Sequence, residues 1–208
     1  MKNAENDQKT LLEALFKAVP FHGWTAEALT EASEAAFGSK TKGLMLFPEG
    51  ISGAIDYFAK NLDTQMAEYA ATESFNKLKI REKIKQALMF RLRAHQQRRE
   101  SIRRLLTYYA MPQHAVQSAR HLLTTVDKIW YLAGDTATDY NYYTKRALLA
   151  GVYSSTLLAW LTDSTPDLSL TEEFLDRRIA DVMKIETAKR SIKEAAARLR
   201  DLPQRIFG

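Results

Sequence analysis

Residues 11–48 run LLEALFKAVPFHGWTAEALTEASEAAFGSKTKGLMLFP. Leu11, Leu12, Leu15, Phe16 and Val19 recur three and four residues apart, as on one buried helix face, and Pro20 is expected to close that helix. Thr25 can offer its side-chain oxygen to the free amides of a second helix, through about Ala36, with Ala28, Leu29, Ala32 and Ala36 facing inward. Gly38-Ser39 makes a turn, and a short third helix is expected from about Lys40 to Phe47. Three short helices with a tight glycine turn before the third outline a helix-turn-helix.

The helical pattern continues outward. Pro48 is expected to start a helix carrying Ile51, Ile55, Phe58 and Leu62, and Ile80, Ile84, Ala87, Leu88 and Leu92 stripe a later one. Pro112 suits the first turn of a helix ending near Leu132, where Ala133-Gly134 supplies a stop. Asp135 to Asp139 reads as a loop and cap before a helix from about Tyr140 to Leu161. Ser169 with Glu172 forms a capping box for a further helix through Phe174, Leu175, Ile179 and Val182. No strand pattern, repeat or low-complexity tract appears, so the fold class is all-α.

With 208 residues the chain can bury a sizeable core, and 46% apolar residues exclude a disordered tail protein. The absence of cysteine excludes disulfides, thiolate metal sites and a thiol nucleophile. There is no phosphate-binding glycine loop, no dinucleotide fingerprint and no Gly-x-Ser-x-Gly elbow. His22, His95, His114 and His121 form neither a His-Glu-x-x-His nor a Glu-x-x-His pattern. His114 and His121, a heptad apart, could share a face, but two histidines without a third ligand read as a surface pair. These absences point to a binder with no catalytic residues, no metal and no cofactor.

Charge is distributed unevenly. Lys77 to Arg104 holds eleven Lys or Arg against two Glu, a net +9, and 184–208 holds seven against three, a net +4. The whole chain is only +5, so the remainder is −8. Such asymmetry suits an anionic partner, nucleic acid or membrane surface, and equally suits long helices that solvate themselves. Met1 to Thr10 has no targeting pattern. The longest uncharged run, Ala147 to Thr162, has 16 residues where a bilayer span needs about 20. Both features lead to the expectation of a soluble or peripheral protein.

In the last segment Ile185, Ala188, Ile192, Ala195, Leu199, Leu202 and Ile206 alternate three and four apart, with Lys184, Lys189, Arg190, Lys193, Arg198 and Arg200 on other faces. That pattern fits a helix lying in a membrane interface and fits a docked terminal helix as well. A second distinctive stretch, Val126 to Arg146, crowds four tyrosines, a tryptophan and three aspartates around one turn. Tyrosine and tryptophan at that density supply large, stiff contact area, at an interface or at a core corner.

The blocks FHGWTAEAL (Phe21–Leu29), AGDTATDYNYYTKRALLAGVYSSTLLAWLTDSTPD (Ala133–Asp167) and FLDRRIADVM (Phe174–Met183) resemble the ubiquinone-biosynthesis lipid-binding accessory proteins. The resemblance spans about 20 to 183 and is most specific in the middle block. It implies a tetracycline-repressor-like fold: a helix-turn-helix-like subdomain (1–50), a helical lipid-binding and dimerisation body (51–183) and an amphipathic membrane-associating tail (184–208). It implies a non-catalytic homodimer that binds isoprenoid quinone intermediates or phospholipid and presents them to the di-iron demethoxyubiquinone hydroxylase. The family's hydroxylase-contacting patch falls on Asp127, Ile129, Asp139, Tyr142 and Tyr143, with Tyr142 where mitochondrial relatives carry tryptophan. Membrane contact falls on Ile185, Lys189, Ile192, Lys193 and Leu199, for a bacterial cytoplasmic protein held peripherally at the inner membrane.

An isoprenoid tail costs about 0.8 kcal/mol per methylene left in water, which favours a chamber. Leu88, Met89 and Leu92 facing Leu122, Val126, Leu148 and Val152 could line it; the same residues serve equally as ordinary core. The alternative reading is a ligand-responsive helix-turn-helix transcription regulator. Against it, the third helix, Lys40-Thr41-Lys42-Gly43-Leu44-Met45-Leu46-Phe47, offers four consecutive apolar residues where base edges need hydrogen-bonding groups. No specific nucleic acid partner is therefore expected.

Overall fold

A computed structural model describes residues 2–135, 140–182 and 184, and every regular element among them is helical. In chain order these are α1 (Lys2–His22), α2 (Ala26–Phe37), α3 (Lys42–Leu46), α4 (Ile51–Ala70), α5 (Glu73–Asn76), α6 (Ile80–Arg93), α7 (Arg99–Tyr109), α8 (Ala115–Ala133), α9 (Tyr140–Thr162) and α10 (169–182). The chain divides into two compact units, Met1–Arg146 and Ala147–Gly208.

In the first unit, Leu11, Leu12, Leu15, Phe16 and Val19 are all buried. Pro20 does not close α1; the helix continues to His22 and stops at Gly23, whose φ of 69° is open to glycine. A proline has no amide to give the carbonyl four residues back, which here is that of Phe16. The buried Ser101 hydroxyl on α7 donates to that carbonyl at 3.2 Å, so a tertiary contact supplies what the proline removes. Trp24 adds a second tie, its indole N–H donating to Ser101 O at 2.9 Å.

Thr25 caps α2 by accepting from the Ala28 amide at 3.2 Å, and Gly38, at φ 65°, ends the helix. Ala28, Leu29 and Ala32 face the core as read, while Ala36 is only half-buried. The third helix is shorter than expected, five residues, and Gly43 has a packing role there. Its amide donates to Ser33 Oγ at 2.7 Å, and Ser33 in turn donates to Ser39 O. A Cβ at Gly43 would lie 3.0 Å from Ser33 Cβ, so α2 and α3 meet at a close contact that a side chain there would have to push apart. Gly43→Val is expected to destabilise the chain by about 1–3 kcal/mol through overpacking, read from the urea midpoint. An unmoved midpoint would show that α3 yields freely.

Pro48 does not begin α4. Residues 48–50 form a turn closed by the Gly50 amide on Phe47 O at 2.8 Å, and Gly50 takes φ 64° before the helix starts at Ile51. Ile55, Phe58 and Leu62 of α4 are buried, as are Ile84, Ala87, Leu88 and Leu92 of α6. Ile80 departs from its expected stripe and is 52% exposed, because α6 enters its packed face only one turn later. Pro112 lies in a 3-10 turn (Pro112–His114) ahead of α8, and Gly134, at φ 91°, stops α8.

In the second unit, the start of α10 is held by two carboxylates and not by the expected Ser169–Glu172 box. Leu168 adopts φ 62° with its side chain fully buried, and its carbonyl takes the Glu172 amide at 2.9 Å. Ser169 is thus already inside the helix, one residue too late to cap it. Asp167 accepts the Ser169 amide at 3.1 Å, and Asp163 accepts the Thr171 amide at 2.8 Å and its hydroxyl at 2.6 Å. Burial pushes the Asp163 pKa up, but these bonds and those from Thr165 outweigh it and hold the carboxyl down at about 2.

Candidate functional site

The aromatic stretch lies where α8 ends and α9 begins. Arg146, one turn along α9 from Tyr142, places its guanidinium 3.3 Å from the Tyr142 ring centroid and donates through Nε to Asp127 Oδ1 at 2.6 Å. Tyr142 donates its hydroxyl to the same oxygen at 3.0 Å. Lys145 pairs with Asp135 at 2.6 Å, and Arg146 Nη1 stands 3.7 Å from Asp135 Oδ2, an ionic contact longer than a hydrogen bond. Trp130 closes the set, its N–H reaching Lys145 O at 3.2 Å. Charge-assisted bonds of this kind fix side-chain orientation as well as adding energy. The rings they hold are stiff, and Tyr143, edge-on to Tyr142 at 5.1 Å, is 73% exposed.

The residues expected to meet a partner therefore have different placements. Tyr143 presents its ring to solvent, Asp127 is half-exposed, and Tyr142 is partly buried as part of the mount. Ile129 is fully buried; its side chain supports α8 from the core side and offers no surface. Asp139 lies outside the described residues. Sequence reasoning missed Arg146, Lys145 and Asp135 as the mount; the four-residue step from Tyr142 to Arg146 was the available signal. It also passed over Tyr131, which is 75% exposed.

Of the residues expected to line a lipid chamber, Leu88, Met89, Leu92 and Val126 are buried in the first unit and Leu122 is half-buried. In the second unit Val152 is buried and Leu148 half-buried. A polar cluster missed by sequence reasoning sits among the first set. Arg91 of α6 forms a close ion pair with Asp63 of α4, and Thr125 of α8 donates to the same Asp63 oxygen at 3.0 Å. All three are at most 6% exposed.

Five cations of the basic stretch are paired with acids of the chain itself. Arg91 is buried, Arg98 pairs with Glu13, Arg103 and Arg104 pair with Glu100, and Lys77 pairs with Glu73. The histidines do not converge. His114 stacks on Tyr108 with centroids 3.7 Å apart, whereas His121 lies 2.8 Å from Asp56 and 2.6 Å from the Tyr109 hydroxyl. No group among the described residues could hold a metal ion. Nor is any described helix long and apolar enough to cross a membrane. The expected membrane contacts Ile185, Lys189, Ile192, Lys193 and Leu199 lie outside the described residues.

The fold is similar to the crystal structure of a TetR transcriptional regulator from Nitrosomonas europaea, with a TM-score of 0.68 at 16% identity over 83% of this chain and 95% of that one. That likeness establishes a tetracycline-repressor-like architecture. The family model described as COQ9 matches residues 115–186, which include the aromatic mount. The mitochondrial ubiquinone biosynthesis protein COQ9 of Rattus norvegicus is 32% identical over 205 residues, covering 95% of this chain and 65% of that protein. This chain thus spans about two thirds of the rat protein's length. Ubiquinone biosynthesis protein COQ9-B of Xenopus laevis, also mitochondrial, is 31% identical over 214 residues, 100% of this chain and 72% of that protein. With identity at this level carried end to end through the aromatic corner, the chain belongs to the COQ9 family.

Proposed function

We propose that this chain is a non-catalytic lipid-binding protein of ubiquinone biosynthesis, which presents isoprenoid quinone intermediates to the di-iron demethoxyubiquinone hydroxylase. The ubiquinone role comes from its relatives, whose names carry it. The observation that carries the docking role is the aromatic corner: Tyr143 is held out in solvent on a mount of Tyr142, Arg146 and Asp127. An exposed aromatic with its rotamer fixed by neighbours loses little entropy on association. Asp139 is a further residue of the proposed contact surface. In this reading Leu88, Met89, Leu92, Leu122 and Val126 of the first unit receive the lipid tail, Leu148 and Val152 of the second unit are lipid contacts as well, two copies associate, and the basic segment 184–208 meets the membrane.

The regulator reading has the fold in its favour, but α3 exposes Leu44 by 56% and Met45 by 79%. Neither side chain can hydrogen-bond a base edge.

Tyr143→Lys is expected to abolish capture of the hydroxylase in a pull-down, with the far-UV circular dichroism unchanged. Tyr142→Phe, which removes only the hydroxyl bonded to Asp127, is expected to weaken capture by roughly tenfold or less, because the Arg146–Asp127 pair stays in place and only part of the about 1.5–3 kcal/mol of a hydrogen bond to a charged group is passed on to binding. Full capture by Tyr143→Lys would place the interface elsewhere.

A further inference from the structure

We propose that the buried Asp63–Arg91–Thr125 triad receives the polar head of a neutral, oxygen-bearing ring lipid, a phenol or hydroquinone. The inference rests on the lipid-binding reading above and names the chemistry by which the head is chosen. The three side chains come from α4, α6 and α8, and two of them, Arg91 and Thr125, are flanked by residues of the proposed lining, while Asp63 lies between the buried Leu62 and Met66. Arg91 adjoins Leu92 and follows Leu88 by one turn, while Thr125 adjoins Val126 and follows Leu122 by one turn. A charged pair in so apolar an interior stabilises poorly for its desolvation cost, and shape-matched apolar residues commonly do as well. Its retention beside the lining is explained by a polar group that must be met there.

The charge balance selects the ligand class. Arg91 and Asp63 cancel, so a phosphate arriving among them would bring an uncompensated negative charge into a dry interior. A phenol or hydroquinone is neutral and supplies both complements: an oxygen to accept from the Arg91 guanidinium and a hydroxyl to donate to the Asp63 carboxylate. Thr125, whose hydroxyl can accept as well as donate, suits a further ring oxygen. The isoprenoid tail then runs along Leu88, Met89 and Val126.

The test uses the full chain and three probes, geranyl hydroquinone, dimyristoyl phosphatidylglycerol and squalene, with binding read by native mass spectrometry and by competition. The native chain is expected to bind the hydroquinone at least about tenfold more tightly than the phosphatidylglycerol. Asp63→Leu together with Arg91→Met is expected to erase that preference while squalene binding persists. Thr125→Val, which keeps the ion pair, is expected to reduce the preference by a smaller factor and covers the case in which the double variant fails to fold. An unchanged preference in the variants, or a native chain that favours phosphatidylglycerol, overturns the triad's role alone. A native chain that binds none of the three overturns the lipid-binding reading and this inference with it.

Discussion

Arg91→Met on its own should lower the unfolding free energy by about 3–5 kcal/mol, whereas the same substitution combined with Asp63→Leu should return the chain to within about 1 kcal/mol of native stability, or above it. Removing the guanidinium leaves a carboxylate 5% exposed in the interior, which keeps the Thr125 hydroxyl but loses its ion-pair partner. Such a group carries its full desolvation cost with no counter-charge. Removing both partners deletes the cost together with the attraction, and Leu and Met fill comparable volume. Urea unfolding of the native chain, the two single variants and the double variant gives the coupling directly, expected to be about 3 kcal/mol or more and strongly non-additive. A single variant costing under about 1 kcal/mol would mean that water reaches the pair. The cycle also bears on the head-group proposal: if the pair is replaceable at no cost to folding, its presence is set by what it binds.

What the sequence discloses depends on how far apart the partners are. Leu11, Leu15 and Val19 could be read because a helix repeats its buried face every three or four residues, and Thr25 because a cap and its amide lie three residues apart. Pro20 was misjudged because the group that compensates for it, Ser101, lies 81 positions along the chain. Ser169 looked like a cap in its local context, but the turn fixed by Leu168 moved the helix start and gave the capping to Asp163 and Asp167. The aromatic corner was legible as composition, three of its four tyrosines falling within 140–143, yet which ring faces solvent and which is mounted depends on Arg146 and Asp127, 19 residues apart. Asp63 left a trace, an acid between the apolar Leu62 and Met66 of α4, but periodicity alone could not name Arg91 as its partner. Contacts within about one helical turn are encoded locally; those between helices are settled by packing.

His95 should make the chain sensitive to mild acid. It sits at the end of α6 against Phe16 and Phe58, 9% exposed, with both ring nitrogens buried and without a hydrogen-bond partner. Burial, reinforced by the positive charges of Arg98 and Arg91, pushes its pKa from 6.5 down to about 3. The folded chain thus holds His95 neutral where the unfolded chain would protonate it. Stability from this group is fully present above pH 6.5 and is lost as the pH falls from 6.5 towards 3, by about 1.4 kcal/mol per unit. At pH 5 the loss is roughly 2 kcal/mol from this side chain alone. His121, also lowered by burial, acts in the same direction, whereas Asp163 and Asp56, both lowered, lose their contributions only in stronger acid. Comparison with His95→Phe isolates the term, since phenylalanine keeps an aromatic ring against Phe16 and Phe58 and cannot take up a proton. The native chain is expected to lose roughly 2 kcal/mol more than His95→Phe between pH 7 and pH 5 in urea unfolding. Trp24, stacked 6.1 Å from Phe58 and bonded to Ser101, provides a fluorescence probe at the same junction. Parallel loss in the two proteins would show that His95 finds a proton acceptor or water in the folded state, and the acid sensitivity would then belong to His121.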